Sequence, residues 1–266
     1  MATILRPLST SELLDRTFFL YRKHFMLFVG IVALPYMVVL AFQLTTIALG
    51  LTGSVFATAG TSLLGAIVSL IALGASQAAT VIAVSEVHLE RPASIGGSFA
   101  AIKGRIFQIA GIMFGVGLGV GIGFLLLVIP GIYLALAWSL AMPVTVLERT
   151  GLNATTSRSS ALTKGDRGRI FVIYFLVTVL TYIVLVIVQF PLLAAVGIMH
   201  PATQQTPAAW VHVLSSVSSF IGISLVGPLL TIALSLIYYD ERVRKEGFDL
   251  QLMMQTLQSS TAPSIS

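Results

Sequence analysis

All the charge of the chain lies in four short segments, and each carries a cluster of basic residues: Arg22-Lys23, Lys103 with Arg105, Lys164 with Arg167 and Arg169, and Arg242 with Arg244 and Lys245. Basic side chains beside long apolar runs sit at headgroup depth, where each contributes about 1 kcal/mol of attraction to an anionic surface. Gathered around one axis, such clusters can hold an anionic headgroup or phosphate. The candidate contacts are therefore Lys103, Arg105, Lys164, Arg167, Arg169, Arg242, Arg244 and Lys245. Topology marking, which any inner-membrane protein shows, is the simpler account of the same residues.

Other chemistry finds little to work with. Hydrolysis needs paired carboxylates, a Ser or Cys with a base, or a metal cluster. The four histidines, His24, His88, His200 and His212, are scattered, and there is no cysteine. The acidic residues all fall inside basic segments, where salt bridging and helix stopping employ them. Among the polar residues inside the apolar runs are Gln43, Gln77, Thr80, Ser139, Gln189, His212, Ser215, Ser216, Ser218 and Ser219. Ion-coupled transporters usually bury an ionisable group near mid-membrane, so hydrogen bonding between helices is the plainer use of these side chains. No catalytic residue, metal or cofactor is expected, and no nucleic-acid partner.

The stretch Gly111 to Phe124 places Gly111, Gly115, Gly119 and Gly123 four residues apart. Such a face lets another helix approach closely in lipid. Packing within the chain is the first reading and self-association the second. The spacing fits neither GxGxxG nor a P-loop.

The elements that position these residues follow from composition. With 56% apolar and 9% charged residues, the chain cannot form a soluble globule. Three charge-free runs, 24–85, 106–147 and 170–239, divide the chain. Each is long enough to cross a bilayer twice, because one transmembrane helix needs about 20 residues. The breaks fall at 50–60, at Ile129-Pro130-Gly131 and at 201–207, all rich in turn-forming residues. Six spans are predicted, near 26–48, 61–85, 106–128, 132–147, 170–198 and 209–238. The fourth is short and contains Pro143; a re-entrant loop there would leave five spans. That would move the fourth charged segment to the other side; with six spans all 15 Lys and Arg fall on one side, which the positive-inside rule makes cytoplasmic together with both termini. The first span reads as an uncleaved signal anchor.

A turn residue, an apolar residue and a helix N-cap recur at Pro7-Leu8-Ser9, Pro92-Ala93-Ser94, Gly151-Leu152-Asn153 and Gly247-Phe248-Asp249. Ser9 and Glu12 have capping-box spacing. Each cap predicts a short amphipathic helix on the inner leaflet, although the third has a poor apolar stripe. The unit is a short helix, a basic link, two spans and an acidic-basic stop such as Glu90-Arg91 or Glu148-Arg149. Three copies are expected, over 9–88, 92–149 and 151–246, followed by a short helix over 249–258 and a disordered tail over 259–266. They form one membrane domain, residues 1–258, and any symmetry axis runs along the membrane normal.

Three stretches, LLDRTFFLYRKHF (13–25), IPGIYLALAWSLAMPVTVLE (129–148) and LIYYDERVRKEGFDL (236–250), together resemble the membrane domain attached to some glycerophosphoryl diester phosphodiesterases, and its stand-alone relatives. The resemblance implies a bacterial or archaeal plasma-membrane protein. It implies no chemistry, because the catalytic barrel of those enzymes is a separate domain of about 250 residues, and no catalytic residue carries over. The expected role is a non-enzymatic module that binds lipid or another envelope protein, or its own copy, and scaffolds or regulates. A transporter or lipid-handling protein with a site between the repeats is the alternative.

Overall fold

A computed structural model describes residues 8–199 and 209–247, and among these every regular element is a helix. In chain order they are α1 (Thr10–Lys23), α2 (Phe25–Leu51), α3 (Val55–His88), α4 (Ile95–Ile102), α5 (Ile106–Leu126), α6 (Val128–Ala137), α7 (Ala141–Leu147), α8 (Leu152–Thr163), α9 (Arg167–Met199) and α10 (Ala209–Glu246). Six stretches are long and apolar enough to cross a membrane: α2, α3, α5, α6 with α7, the first 25 residues of α9, and α10. This is a multi-pass membrane protein.

The expected caps form at two sites. Ser9 Oγ accepts from Glu12 N at 3.3 Å while Glu12 Oε2 accepts from Ser9 N at 2.8 Å. The pair satisfies two free donors of α1 reciprocally. Ser94 Oγ accepts from Gly97 N at 3.1 Å and starts α4. The third expectation is corrected: α8 begins at Leu152, so Gly151 is the cap and Asn153 lies inside the first turn. That start is fixed by Thr155 N donating to Gly151 O at 2.8 Å. Asp249, the helix expected over 249–258 and the tail lie outside the described residues.

The links after α4 and α8 are the same turn. Lys103 (φ −55°, ψ 134°) precedes Gly104 (φ 82°), and Lys164 (φ −64°, ψ 125°) precedes Gly165 (φ 94°). Arg105 N donates to Ile102 O at 3.0 Å, and Asp166 N to Thr163 O at 3.2 Å. These are type II turns, which need glycine at the third position because its φ is positive.

Three boundaries moved: α3 begins at Val55, inside the break expected over 50–60, and two others moved for a physical reason. Ile129-Pro130-Gly131, read as the break between the third and fourth spans, instead forms the first turn of α6; the chain reverses at Leu127, which is extended. Proline suits the first turn, where its missing N–H has no partner to lose. Pro143 likewise sits in the first turn of α7, and the helix breaks before it, at Trp138 to Leu140.

The three pairs, α2–α3, α5 with α6–α7, and α9–α10, share one pattern of burial. In the first member the apolar window is 22%, 22% and 17% buried; in the second it is 56%, 44% and 61%. Thus α3 and α10 form the centre, joined by α7, with Leu13, Phe28, Val84, Leu140, Ile232 and Tyr238 fully buried between them.

Candidate site at the charged end of the bundle

The eight predicted contacts divide into two groups. Arg169, at the foot of α9, donates to Asp240 Oδ2 at 2.6 Å and to the Leu8 carbonyl at 3.0 Å, and lies 3.5 Å from Glu241 Oε1. Arg244 donates to the same Asp240 oxygen at 2.8 Å, and Leu8 N donates to the other at 2.6 Å. Lys245 is 3.0 Å from Glu241 and 3.3 Å from Asp166, and donates to the Lys164 carbonyl at 2.7 Å. Three carboxylates thus meet three cations, and the Asp240 and Glu241 side chains are almost wholly buried. A second cluster repeats the balance. Arg158 joins Glu148 (2.9 Å) to Glu246 (2.5 Å), Arg242 holds Glu246 at 3.0 Å, and Tyr238 Oη donates to Glu148 at 2.9 Å. The hydrogen bond to Glu246 leads the causes that raise the Arg158 pKa, opposed by desolvation and aided by Glu148.

These contacts occupy Arg169, Arg242, Arg244 and Lys245 and tie Leu8, just before α1, to α8, α9 and α10. The spacing carried the signal: Asp240/Arg244, Glu241/Lys245 and Arg242/Glu246 are i, i+4 pairs on one helix, where side chains four apart are neighbours. Burial of Asp240 and Glu241 was not legible, because it depends on α1 and α9 closing over them.

The other four candidates meet no carboxylate among the described residues. Lys103 and Lys164 are exposed at the second position of the two type II turns. Arg105 approaches the Thr145 carbonyl at 3.5 Å. Arg167 lies over the Tyr133 ring, 4.4 Å from its centroid, with Nε buried and unbonded.

Three of the four predicted packing glycines are used inside the chain. A Cβ on Gly119 would stand 2.4 Å from Trp138, one on Gly115 3.0 Å from Leu152, and one on Gly123 3.2 Å from the Gly131 backbone. Gly111 faces open space, as do Gly117 and Gly121.

Hydroxyls missed as site residues repair the break between α6 and α7. Ser159 and Thr163 of α8 donate to the Ala137 carbonyl at 2.9 and 3.2 Å, and Leu140 N donates to Ser159 Oγ at 3.2 Å. This is why the third short helix has a polar stripe.

At the other end, Gln43, Thr46, Thr61, Ser69, His212 and Ser215 line a cleft of about 420 Å³ between α2, α3 and α10. Gln77 lines a cavity of about 40 Å³ deeper between the same helices. Gln189 is elsewhere, donating to Ser219 at 2.7 Å. Among the described residues no group of three His, Cys, Asp or Glu is placed to hold a metal ion. Comparison with family models, with curated proteins and with solved structures finds no match.

Proposed function

We propose that the protein is a non-enzymatic membrane module that binds anionic lipid headgroups at the face carrying Lys103, Arg105, Lys164 and Arg167, and scaffolds or regulates neighbouring envelope proteins there. The observation that carries this reading is the partition of the cations. Carboxylates of the chain engage Arg169, Arg242, Arg244 and Lys245, whereas Lys103 and Lys164 are held outward by two identical turns. Identical turns and the shared burial pattern of the three helix pairs favour a threefold repeat with α3, α7 and α10 innermost. The exposed Arg22 and Lys23 at the end of α1, opposite buried Leu13, Thr17 and Leu20, favour an interfacial helix. By the positive-inside rule this face is cytoplasmic. The sequence resemblance to the phosphodiesterase membrane domain agrees with a plasma-membrane location.

The reading is tested by thermal stability in mild detergent with added phosphatidylglycerol or phosphatidylcholine. Phosphatidylglycerol is expected to raise Tm in the natural protein, an effect lost in the variant Lys103→Gln/Arg105→Gln/Lys164→Gln/Arg167→Gln. An equal response to both lipids would overturn it. A second reading, transport or lipid handling, draws on the cleft of Gln43 and His212 and the cavity at Gln77, which share α2, α3 and α10.

A further inference from the structure

The hairpin of α5 and α6 has the composition of two membrane spans, but its anchors set it apart from the other long helices. Those helices run in register along one axis. On α9 and α10, Gln189 faces Ser219 near one end and Arg169 faces Asp240 near the other. Thr46 and Ser215 of α2 and α10 share the cleft, and Val32 meets Gly227 lower down. On α3, Ser85 bonds Tyr239 of α10 at 2.6 Å. The helix α10 has 38 residues. At a rise of about 1.5 Å per residue it extends about 57 Å from foot to tip.

The α5–α6 hairpin is pinned to the foot. Arg158 of α8 bonds Glu246, the last residue of α10, and the Lys164 carbonyl just beyond α8 bonds Lys245. Ser159 and Thr163, in the same stretch, bond the carbonyl of Ala137, the last residue of α6. From Ala137 to the reversal at Leu127 is ten residues, so the tip stands at most about 15 Å above that level. The hydrocarbon core is about 30 Å thick. The second half of α5 is held down with it, because Gly115 meets Leu152 at the start of α8 and Gly119 meets Trp138, whereas its first half packs higher, with Ala110 against Gly74 of α3.

The tip has the chemistry of a dry place. Leu125, Leu126, Leu127, Val128 and Ile129 are 63–85% exposed, and no polar side chain stands among them. The water-suited turn between α2 and α3, by contrast, is Thr52-Gly53-Ser54. Backbone groups in lipid must be satisfied internally. Leu127 N donates to Gly123 O at 3.1 Å, Leu127 O accepts from Gly131 N at 3.2 Å, and Pro130 removes one of the free donors of the first turn of α6.

We infer that α5 and α6 do not cross the membrane: the hairpin enters from the charged face, turns at Leu127 among the acyl chains of that leaflet, and returns. The chain then crosses four times, by α2, α3, α9 and α10. Removing two crossings together leaves every charged segment on the same side, which is why charge patterning reads equally well with six. The occupant of the exposed tip is the acyl layer of that leaflet: α6 meets the start of α9 where Arg167 lies over Tyr133, and Phe171, Phe175 and Leu176, further along α9, are exposed to the same apolar surroundings.

The chain has no cysteine, so single-cysteine variants report one site each. Gly53→Cys, Leu127→Cys and Ile129→Cys are exposed in cells to a membrane-impermeant maleimide, then labelled with a nitroxide in vesicles for depth measurement by oxygen and nickel-chelate relaxation. Labelling of Gly53→Cys alone, with the nitroxides at 127 and 129 accessible to oxygen, shielded from nickel and within about 15 Å of the charged-face headgroups, is the expected result. Labelling of Leu127→Cys or Ile129→Cys from outside would show a crossing and overturn the inference. Strong nickel access at both would place the tip in water and overturn it equally. None of the three variants touches a cation of the proposed headgroup site, so this test and the lipid test fail separately.

Discussion

Arg169 and Asp240 meet at 2.6 Å where α9 and α10 leave the apolar zone, and Asp240 also accepts from Leu8 N and Arg244. One carboxylate thereby joins the start of the described chain to the last pair of helices. Removing one partner of a buried pair strands the other, at a cost of about 3–5 kcal/mol. Asp240→Asn is expected to lower Tm strongly in detergent. The double variant Arg169→Met/Asp240→Leu is expected to be less damaged than the sum of its parts. An additive double mutant would mean the two residues act separately.

The glycines of α5 divide by face. Gly119→Ala places a methyl 2.4 Å from the Trp138 ring and Gly123→Ala one 3.2 Å from the Gly131 backbone. Each is expected to cost about 1–3 kcal/mol through overpacking, read as a lower Tm. Gly117→Ala and Gly121→Ala meet open space and are expected to change Tm little.

Gly104 and Gly165 hold the two lysine turns at φ 82° and 94°. Alanine at either is expected to lose about 1 kcal/mol, the cost of a left-handed backbone for an L residue. Asparagine is expected to lose less, because it tolerates that region. Gly96→Ala, with a helical backbone and open space, is the control in the same thermal assay.

The sequence displayed the helices and most of their ends because charge-free runs, prolines and N-cap residues act locally. Ser9 and Ser94 cap the helices they were expected to cap. What was hidden depends on contacts distant in the chain. Pro130 looked like a break because proline serves both turns and first helical turns; only the reversal at Leu127 distinguishes them. Spacing alone pairs Arg242, Arg244 and Lys245 with carboxylates four residues away, but not Arg169, which finds Asp240 seventy-one residues away. The polarity of α8 looked like a defect in its apolar stripe and is instead the complement of a broken helix.

That complement is testable on its own. Ser159→Ala leaves Leu140 N without its acceptor, although Thr163 still serves the Ala137 carbonyl. An unmet buried donor costs about 1–3 kcal/mol. Faster backbone hydrogen exchange confined to 137–141 is expected, and exchange unchanged from the natural protein would show that the hydroxyl does not hold the break.

Lys103, Arg105, Lys164 and Arg167 are proposed to hold an anionic headgroup. Native mass spectrometry of protein taken directly from its own membranes, with stepwise collisional release, tests this most directly. A stoichiometric anionic phospholipid is expected to survive extraction on the natural chain and to be missing from Lys103→Gln/Arg105→Gln/Lys164→Gln/Arg167→Gln. The same bound mass on both proteins, or no lipid on either, would contradict it.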